Sequence, residues 1–505
     1  MRADIITVSP FNFINVLDVR LSKGVNKHGT AYVKGVILAD SEKEYAMMPR
    51  VATTVEITAS DIYGNDSVLF HGVLDKLNIA TLNGLRILEL HLVSKSMLLD
   101  ISPQTVVFQN TDMTYNSLVS AVLEPFDDAQ AILNCGDEER LGQMFIQYHE
   151  TAWAFLIRMS SMHNDVMVVN DILPGIKLFF GFQRRVTSEI EKVDPISYRV
   201  KKSIGSFIYK KENRVSNVSE SDAEQFIVRE RVIRQVGDPV SFLDRQLWVS
   251  EVESMMDGSE LVHTYTLMNE AGIRVAQVRN FNIIGASFSG QVGRVSGTHV
   301  KMILDDAHSN NLDDIRWHLV STVYSTPRGT GIYLPPEIGD TLRLYCPTEI
   351  DNAGYMISAV QTSRTHPTLP NPQQIIESRS GAPGSDIVSE SGGIAAVPLH
   401  FEEGRDTDAK VIENGNGQRI TVAPGNVSFL SSGGSATMQV MLNDASGVVI
   451  LSDGSDISIS GNGNASLISL NGDVSVSATD RVMVAQASAA TILEGGIVTN
   501  TAPDA

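Results

Sequence analysis

The sequence is short of aromatic side chains, of cysteine and of long apolar runs. Aromatic residues make up 6% of the 505 positions, and after residue 400 only Phe401 and Phe429 remain. A compact globular domain usually holds more large aromatic anchors, so we expect the last hundred residues not to form one. Cys135 and Cys346 lie far apart without metal-ligand spacing, so we expect reduced thiols and no disulfide framework.

Positive charge is also scarce, with a formal net charge of −20. A phosphate backbone needs a clustered basic face, so we expect no nucleic-acid binding. The N-terminus lacks a charged region followed by an apolar one, and no run of 18 apolar residues occurs. The sequence therefore predicts synthesis in the cytoplasm without a signal peptide or a membrane anchor. The length indicates more than one domain.

Signatures of catalysis and of metal binding fail individually. His149-Glu150 begins like the zinc motif H-E-x-x-H, but Trp153 stands where the second histidine belongs. Residues 285–290 are similar to a nucleophile elbow but hold one residue too many. The 11 histidines are scattered and none follows His400. We predict no catalytic residue, no metal site and no cofactor, and hence no enzyme.

Alternating patterns dominate the first 285 residues. Leu88, Leu90 and Leu92 alternate with polar residues, and residues 32–38 and 54–58 give similar short strands. Two helices are expected within this region, at residues 115–122, capped by Thr111 or Asp112, and at 150–162. Strands follow at 166–169 and 178–180, and residues 195–285 return to strand-like segments.

The following region predicts a small barrel and a connector. Five strands are expected at residues 291–295, 299–304, 317–323, 341–345 and 355–360, the count of an OB-type barrel. Residues 364–400 are rich in Pro, Gly and Ser and indicate a linker.

The last hundred residues carry short apolar pairs separated by Ser, Asp, Asn and Gly. Each predicted strand has one apolar side and no helix to cover it. In a single chain that side would be exposed to water, and the edges of the strands would be unpaired. Stacking on itself, or on two other copies around an axis, solves both problems. The pairs are Ile420/Val422, Val427/Phe429, Val440/Leu442, Val448/Ile450, Ile457/Ile459, Ile468/Leu470, Val474/Val476 and Val482/Val484.

Residues 145–156 read FIQYHETAWAFL. This segment resembles a hallmark of the VgrG and phage late-control D family, roughly V-Q-Y-x-E-[ST]-D-[WF]-x-F-[LV]. It departs at Ala152, where the family usually has Asp, and this departure puts one capping contact in question. The matching residues are Gln147, Tyr148, Glu150, Thr151, Trp153, Phe155 and Leu156.

Residues 331–340 read GIYLPPEIGD and look like the family's signature G-x-Y-x-P-P-E-[IV]-G-D. The two prolines followed by Gly-Asp turn the chain into the next strand. The acidic sequence usual after this signature is replaced by CPTEIDN, which indicates a divergent branch. The residues that match here are Tyr333, Pro335, Pro336, Glu337, Gly339 and Asp340.

The resemblance implies a mainly β protein with a hub of small β-barrel domains and a few short helices, an OB-fold barrel and a C-terminal trimeric β-helical needle. The expected domains are a tail-tube-docking hub of two β-barrel subdomains with a helical insert at 1–285, the OB-fold domain at 286–365, a connector at 366–405 and the shaft and tip at 406–505. The candidates for the trimer-needle core are Val448, Ile450, Ile457, Ile459, Ile468, Leu470, Val474, Val476, Val482 and Val484.

The function implied is that of a homotrimeric spike at the centre of the baseplate of a contractile injection machine. It would nucleate the tail tube and pierce a target cell envelope when the sheath contracts. The implied partners are the tail tube protein and baseplate proteins; a separate PAAR-like protein that caps the tip is left open. A receptor-binding β-helical fibre is the alternative, followed by a spike with hydrolase activity. Phage tails, phage-tail-like bacteriocins and type VI secretion systems all use such a spike.

Overall fold

The computed structural model describes residues 5–48, 53–60, 66–182, 190–325, 331–333, 335–358, 410–413, 418–431, 437–444, 447–453, 482–486 and 489–493. The chain divides into two compact units, which are described separately. The first unit comprises Met1–Ser325 and Ile332–Lys410, and the second comprises Thr326–Gly331 and Val411–Ala505. The four domain boundaries expected from the sequence stay a prediction.

The described residues are mainly β, as predicted, with five short α-helices. The strands are β1 Ile5–Ser9, β2 Phe13–Gly24, β3 Thr30–Ile37, β4 Thr54–Ser60, β5 Asp66–Leu82, β6 Leu85–Ser94, β7 Gln104–Phe108, β8 Ala129–Leu133, β9 Phe145–Glu150, β10 Met167–Val169, β11 Ile176–Phe180, β12 Glu191–Lys192, β13 Ser197–Lys202, β14 Glu224–Glu230, β15 Pro239–Phe242, β16 Arg245–Asp257, β17 Glu260–Met268, β18 Ser287–Ser296, β19 His299–Leu304, β20 His318–Leu319, β21 Tyr324–Ser325, β22 Gly331–Tyr333, β23 Thr341–Tyr345, β24 Tyr355–Ser358, β25 Lys410–Glu413, β26 Gln418–Ala423, β27 Asn426–Ser431, β28 Thr437–Asn443, β29 Gly447–Asp453, β30 Val482–Gln486 and β31 Ala489–Leu493. The helices are α1 Glu42–Met47, α2 Tyr115–Leu123, α3 Ala152–Ser161, α4 Ile204–Glu212 and α5 Glu270–Ile273.

A single 12-stranded sheet runs through the first 268 residues in the order β1-β4-β5-β6-β3-β2-β16-β17-β14-β13, and β15 joins β16 on one side and β12 on the other. Its first six strands enclose one core, centred on residues such as Val33, Phe70 and Leu90. Strands β12 to β17 enclose a second core around Val228 and Tyr265. The two halves are joined because β2 pairs antiparallel with β16.

A region that holds α2 and α3 lies between these two halves in the sequence and has its own core. Helix α2 begins at Tyr115, as predicted, and its cap is Thr114, whose side chain accepts a hydrogen bond from Ser117 N at 3.2 Å. The prediction of Thr111 or Asp112 as the cap was therefore wrong; the Asp112 carboxylate instead forms an ion pair with Arg140. Helix α3 is capped by Thr151 and begins two residues after the predicted start.

A helix also lies where the sequence analysis expected only strand-like segments. Helix α4 occupies residues 204–212 and is capped by Ser203. Its apolar residues Ile204, Phe207 and Ile208 follow the helical spacing i, i+3, i+4, so the signal was present and was missed. None of its residues is buried.

The five-stranded barrel predicted after residue 285 is confirmed. Its strands follow the order β20-β19-β18-β23-β24, and a parallel bridge between Val320 and Met356 links its first and last strands. The third strand is shorter than predicted, at His318–Leu319. Cys346 lies in this core, and both cysteines are buried and form no disulfide.

In the second unit, β26 to β29 form an antiparallel meander. The register pairs Ile420 with Phe429, Phe429 with Val440, and Val440 with Ile450. Strands β30 and β31 form a separate antiparallel pair. The apolar pairs at 420–450 and at 482–484 therefore lie on strands, as predicted, whereas those at 457–476 lie outside the described residues. The β-helical winding stays a prediction.

Candidate functional site: an apolar sheet face and a buried junction

The first family-like segment forms β9 and α3, and its strand is shared by two cores. Phe145 packs in the core of the helical insert, whereas its neighbour Ile146 packs in the core of the five-stranded barrel. Alternate residues of a strand point to opposite faces, so one strand can serve both cores. Its partner strand β7 reaches the barrel as well, because Val107 N donates to Asp306 O at 2.8 Å and His308 N donates to Val107 O at 2.9 Å.

Arg158 of α3 fixes this junction through a buried ionic network. Its Nε lies 3.0 Å and its Nη2 2.8 Å from the Glu150 carboxylate, and its Nη1 lies 2.9 Å from Asp351 Oδ2 in the barrel. The remaining Nη2 proton goes to Ile146 O at 2.7 Å. Asp351 Oδ1 in turn accepts from Ile146 N at 3.0 Å. All these groups are satisfied, as a buried charge requires.

The electrostatics of this network follow from its burial and from its excess of negative charge. Removal from water raises the pKa of Glu150 and of Asp351 above their ordinary values, although Arg158 acts in the opposite direction. Burial alone would lower the pKa of Arg158, but Asp351 and Glu150 raise it. The network holds one cation between two carboxylates, and no open cleft is needed to explain it.

The other residues of this segment have packing and hydrogen-bonding roles. Gln147 Nε2 donates to Glu150 O at 2.9 Å. Three aromatic residues of the segment contact other rings, and the distances given are between ring centroids. Tyr148 contacts Phe288 edge-on at 5.4 Å. Trp153 lies 3.9 Å from His28, and Phe155 stacks on Phe108 at 5.7 Å.

The departure at Ala152 leaves α3 capped. Thr151 Oγ1 accepts from Ala154 N at 3.1 Å, and the Ala152 side chain itself is buried. The capping contact that the sequence put in question is therefore made by the preceding residue.

The second family-like segment builds the turn that leads into β23. Tyr333 ends β22, and Pro335 and Pro336 are buried. Glu337 N donates to Asp340 Oδ2 at 2.8 Å, which closes the turn. Gly339 has φ +95°, a conformation that L side chains rarely adopt.

This turn is docked on the barrel through β18. Gly339 N donates to Val292 O at 2.8 Å, and Val292 N donates to Asp340 O at 2.9 Å. The residue types of the motif therefore fix the register of a barrel strand, and they do not form a chemical site.

The sheet of the second unit has an inverted burial pattern. Thr421, Ser428 and Gln439 are buried on one face. The register places the residues of the other face in two apolar rows, one running Ile420, Phe429, Val440 and the other Val422, Val427, Leu442. Four of these side chains are exposed by 38 to 48%: Ile420, Val422, Phe429 and Leu442.

Four of the ten predicted needle-core residues lie on described strands. Val448 and Ile450 stand opposite Leu442 and Val440 in the register of β29 with β28. Val482 and Val484 lie on β30. The other candidates, Ile457, Ile459, Ile468, Leu470, Val474 and Val476, lie outside the described residues.

Sequence reasoning missed Arg158 and Asp351. Arg158 had a signal, because it is the only charged residue in the helix AWAFLIRMSS and follows the buried Phe155 by three positions. Asp351 had none, since its partner lies 193 positions away in the chain. Among the described residues, no group of three or more His, Cys, Asp or Glu side chains is arranged to hold a metal ion. No described helix is long and apolar enough to cross a membrane.

Comparison with known proteins finds similarity to solved structures at low sequence identity. No family model and no curated protein matches the sequence. The solved structures that resemble it include components of phage tails and of type VI secretion systems.

Three individual structures show the extent of the similarity. The E. coli c3393 protein, a type VI secretion component with structural similarity to the T4 bacteriophage tail proteins gp27 and gp5, is 12% identical over 70% of this chain and 99% of its own, with a TM-score of 0.49. The half-lidded Francisella PdpA-VgrG complex is 8% identical over 90% of this chain and 88% of its own, with a TM-score of 0.48. The 43 kDa tail protein of prophage MuSo2 from Shewanella oneidensis is 9% identical over 54% of this chain and 100% of its own, with a TM-score of 0.40. Because every TM-score is below 0.5, these similarities assign no function by themselves.

Proposed function

We propose that this chain is a structural hub and spike subunit of a contractile injection machine, and that it works as a homotrimer without catalytic activity. The observation that carries the proposal is the exposed apolar face of β26 to β28. The same sheet buries Thr421, Ser428 and Gln439 and leaves Val422, Phe429 and Leu442 about half exposed. A sheet in water normally does the reverse, and the described strands of the second unit leave this face half exposed. We therefore infer that further copies of the chain cover it.

Two further copies around an axis provide that cover. The face is built almost entirely of aliphatic residues, which suit a narrow shaft where three identical side chains meet. Covering a half-exposed aliphatic side chain stabilises the assembly by roughly 1 kcal/mol. Repeated along two rows and in three chains, this contribution exceeds what any single surface contact provides. Acidic residues outnumber basic ones after residue 401, which keeps neighbouring shafts apart.

The first unit supplies the hub in this proposal. The Arg158 network and the shared strand β9 join the helical insert to the five-stranded barrel. A junction with a buried, hydrogen-bonded ion network resists shear better than a mobile linker. Such a hub suits the centre of a baseplate, where it contacts the tail tube protein and baseplate proteins and where sheath contraction drives the spike into a target envelope. A separate tip-capping protein is compatible with this arrangement.

The proposal is tested first by the mass of the full chain in solution. Light scattering after size exclusion should give three times the chain mass of 54.9 kDa. A monomer that keeps the circular dichroism signal of the second unit's strands contradicts the proposal.

A variant pair locates the trimer contact. Val422→Asp/Leu442→Asp puts carboxylates on the apolar face and should shift the mass toward the monomer. Leu38→Asp/Met47→Asp adds the same charge at exposed apolar positions of the first unit, and it should leave the trimer intact. Equal behaviour of both variants contradicts the assignment of this face.

The position in the particle separates a spike from the alternative. Electron microscopy of purified particles with labelled protein should show the label at the distal end of the tube. Label in side fibres favours the receptor-binding fibre. A trimer in solution with label along the sheath supports the oligomer but rejects the spike.

A further inference from the structure

Strand β13 ends the long sheet of the first unit, and its outer edge has no partner strand among the described residues. It pairs with β14 on one side, and within the described ranges no strand follows it on the other. All six of its residues are exposed. An edge of this kind presents a row of backbone N–H and C=O groups that another extended segment can pair with.

The core side of this strand is also incompletely covered. Tyr198 stands opposite Val228, and Val200 stands opposite Phe226. Val228 and Phe226 are buried in the second core. Directly opposed residues share a face, yet Tyr198 is 52% exposed and Val200 54%. The core-facing residues of β14 are therefore buried, whereas those of the last strand, β13, remain half exposed.

The same stretch is basic in an acidic protein. Residues 197–214 hold one acidic residue, Glu212, in a chain with a net charge of −20. Two of the cations are already engaged, because Lys202 lies 3.5 Å from Glu220 and Lys210 donates to Gly272 O. The six basic residues of the stretch are Arg199, Lys201, Lys202, Lys210, Lys211 and Arg214.

Helix α4 follows β13 directly and adds exposed apolar surface. Ile204, Ile208 and Tyr209 are all exposed. Lys210 holds the helix in place through its bond to Gly272 O. An open edge, half-exposed core residues, an uncovered helix and local positive charge thus occur together in eighteen residues, and each favours contact with another macromolecule.

We propose that β13 and α4 form a docking surface for an extended acidic segment of another protein, which adds to the sheet as a strand beside β13. The incoming backbone satisfies the open edge, alternate side chains cover Tyr198 and Val200, and acidic residues on the other face meet Arg199 and Lys201. A lipid surface or a nucleic acid matches the charge but cannot pair with the strand edge. The surface lies in the first unit and does not depend on the trimer contact proposed for the second.

Basic side chains on an edge strand also keep like edges apart. That role explains Arg199 and Lys201, but it does not explain why Tyr198 and Val200, on the core side, stay half exposed. A protective edge does better with polar residues there, since water reaches them. A half-exposed apolar face and a basic face on the same edge strand together indicate that another polypeptide segment binds there.

The test uses the full chain and a fluorescent peptide of about eight residues that alternates valine and glutamate. Binding is followed by anisotropy. Three peptides serve as controls: valine alternating with lysine, glutamate alternating with serine, and the valine–glutamate peptide N-methylated at every backbone nitrogen, whose methyl groups block hydrogen-bond pairing along both of its edges. We expect only the unmodified valine–glutamate peptide to bind.

The chain is varied in parallel. Arg199→Glu/Lys201→Glu should weaken binding of the valine–glutamate peptide by about tenfold or more, since two attractive charges become repulsive. Lys43→Glu/Lys76→Glu makes the same change of net charge at exposed positions elsewhere in the first unit, and it should leave binding within about twofold.

Four results overturn the inference. The first is no binding of the valine–glutamate peptide, and the second is equal binding of the N-methylated peptide, which reduces the surface to a charged patch. The third is equal weakening by both variants. The fourth is a change of oligomeric state in the Arg199→Glu/Lys201→Glu variant, which assigns the edge to a second copy of this chain. If the chain binds vesicles rich in anionic lipid but not the valine–glutamate peptide, the inference is overturned as well.

Discussion

Arg158→Met removes the cation that neutralises Glu150 and Asp351 at the junction between the helical insert and the five-stranded barrel. The guanidinium lies 2.8 to 3.0 Å from oxygens of the two carboxylates and 2.7 Å from Ile146 O. Methionine occupies a similar volume, so the loss is mainly electrostatic. Removing one partner of a buried ion network costs about 3–5 kcal/mol, and we expect the free energy of unfolding to fall by that amount near neutral pH.

The size of this loss should depend on pH in a defined direction. Burial already raises the pKa of both carboxyls in the folded protein, and removing the cation raises it further. The folded variant then takes up protons at a pH where the unfolded chain does not, so lowering the pH stabilises it. We expect the loss at about pH 5 to be roughly half or less of the loss at about pH 7.5.

Equilibrium unfolding in urea, followed by tryptophan fluorescence, measures both effects, because Trp153 lies in the same helix as Arg158. Arg279→Met serves as the control, since Arg279 is exposed, and it should change stability by less than about 0.5 kcal/mol. A triple variant with Glu150→Gln, Arg158→Met and Asp351→Asn should recover part of the loss. A loss below about 1 kcal/mol, or one independent of pH, refutes this account of the junction.

Two further predictions concern single side chains. Thr151→Ala removes the cap of α3 and should lower the free energy of unfolding by about 1 kcal/mol in the same urea assay; Thr298→Ala, at an exposed position outside any helix, is the control, and equal losses argue against the cap. Burial lowers the pKa of His263 to about 4, so between about pH 6.5 and pH 4 the unfolded chain binds a proton that the folded chain does not, and stability should fall by up to about 3 kcal/mol as the pH falls. His263→Gln should flatten that part of the stability profile, and an unchanged slope contradicts the assignment.

Local structure was predictable wherever a period was clear. The alternation around Leu90 and the helical spacing of residues 115–122 both located real elements, because side-chain period follows from backbone geometry alone. The five strands of the barrel were found for the same reason. The ends of elements were harder to predict. The cap of α2 is Thr114, which accepts a hydrogen bond from Ser117 N, and not Thr111 or Asp112.

The junction could not be read from the sequence in the same way. Gln147, Tyr148 and Glu150 were singled out through a resemblance, without a role for any of them. The structure gives Glu150 its role through Arg158 and Asp351, which are 193 positions apart. A contact at that separation depends on the path of the whole intervening chain, and no local period encodes it.

The sequence by itself predicted short strands with one apolar side in the last hundred residues, and β26 to β28 are such strands. That property is local, since each strand needs only its own backbone and its own pattern. Only the tertiary structure decided which side is covered: it aligns Val422, Val427 and Leu442 in one row and leaves the ends of that row half exposed, while Ser428 on the other face is buried. Burial is a property of the neighbours a residue meets, and the neighbours of this face lie outside a single chain in the function we propose.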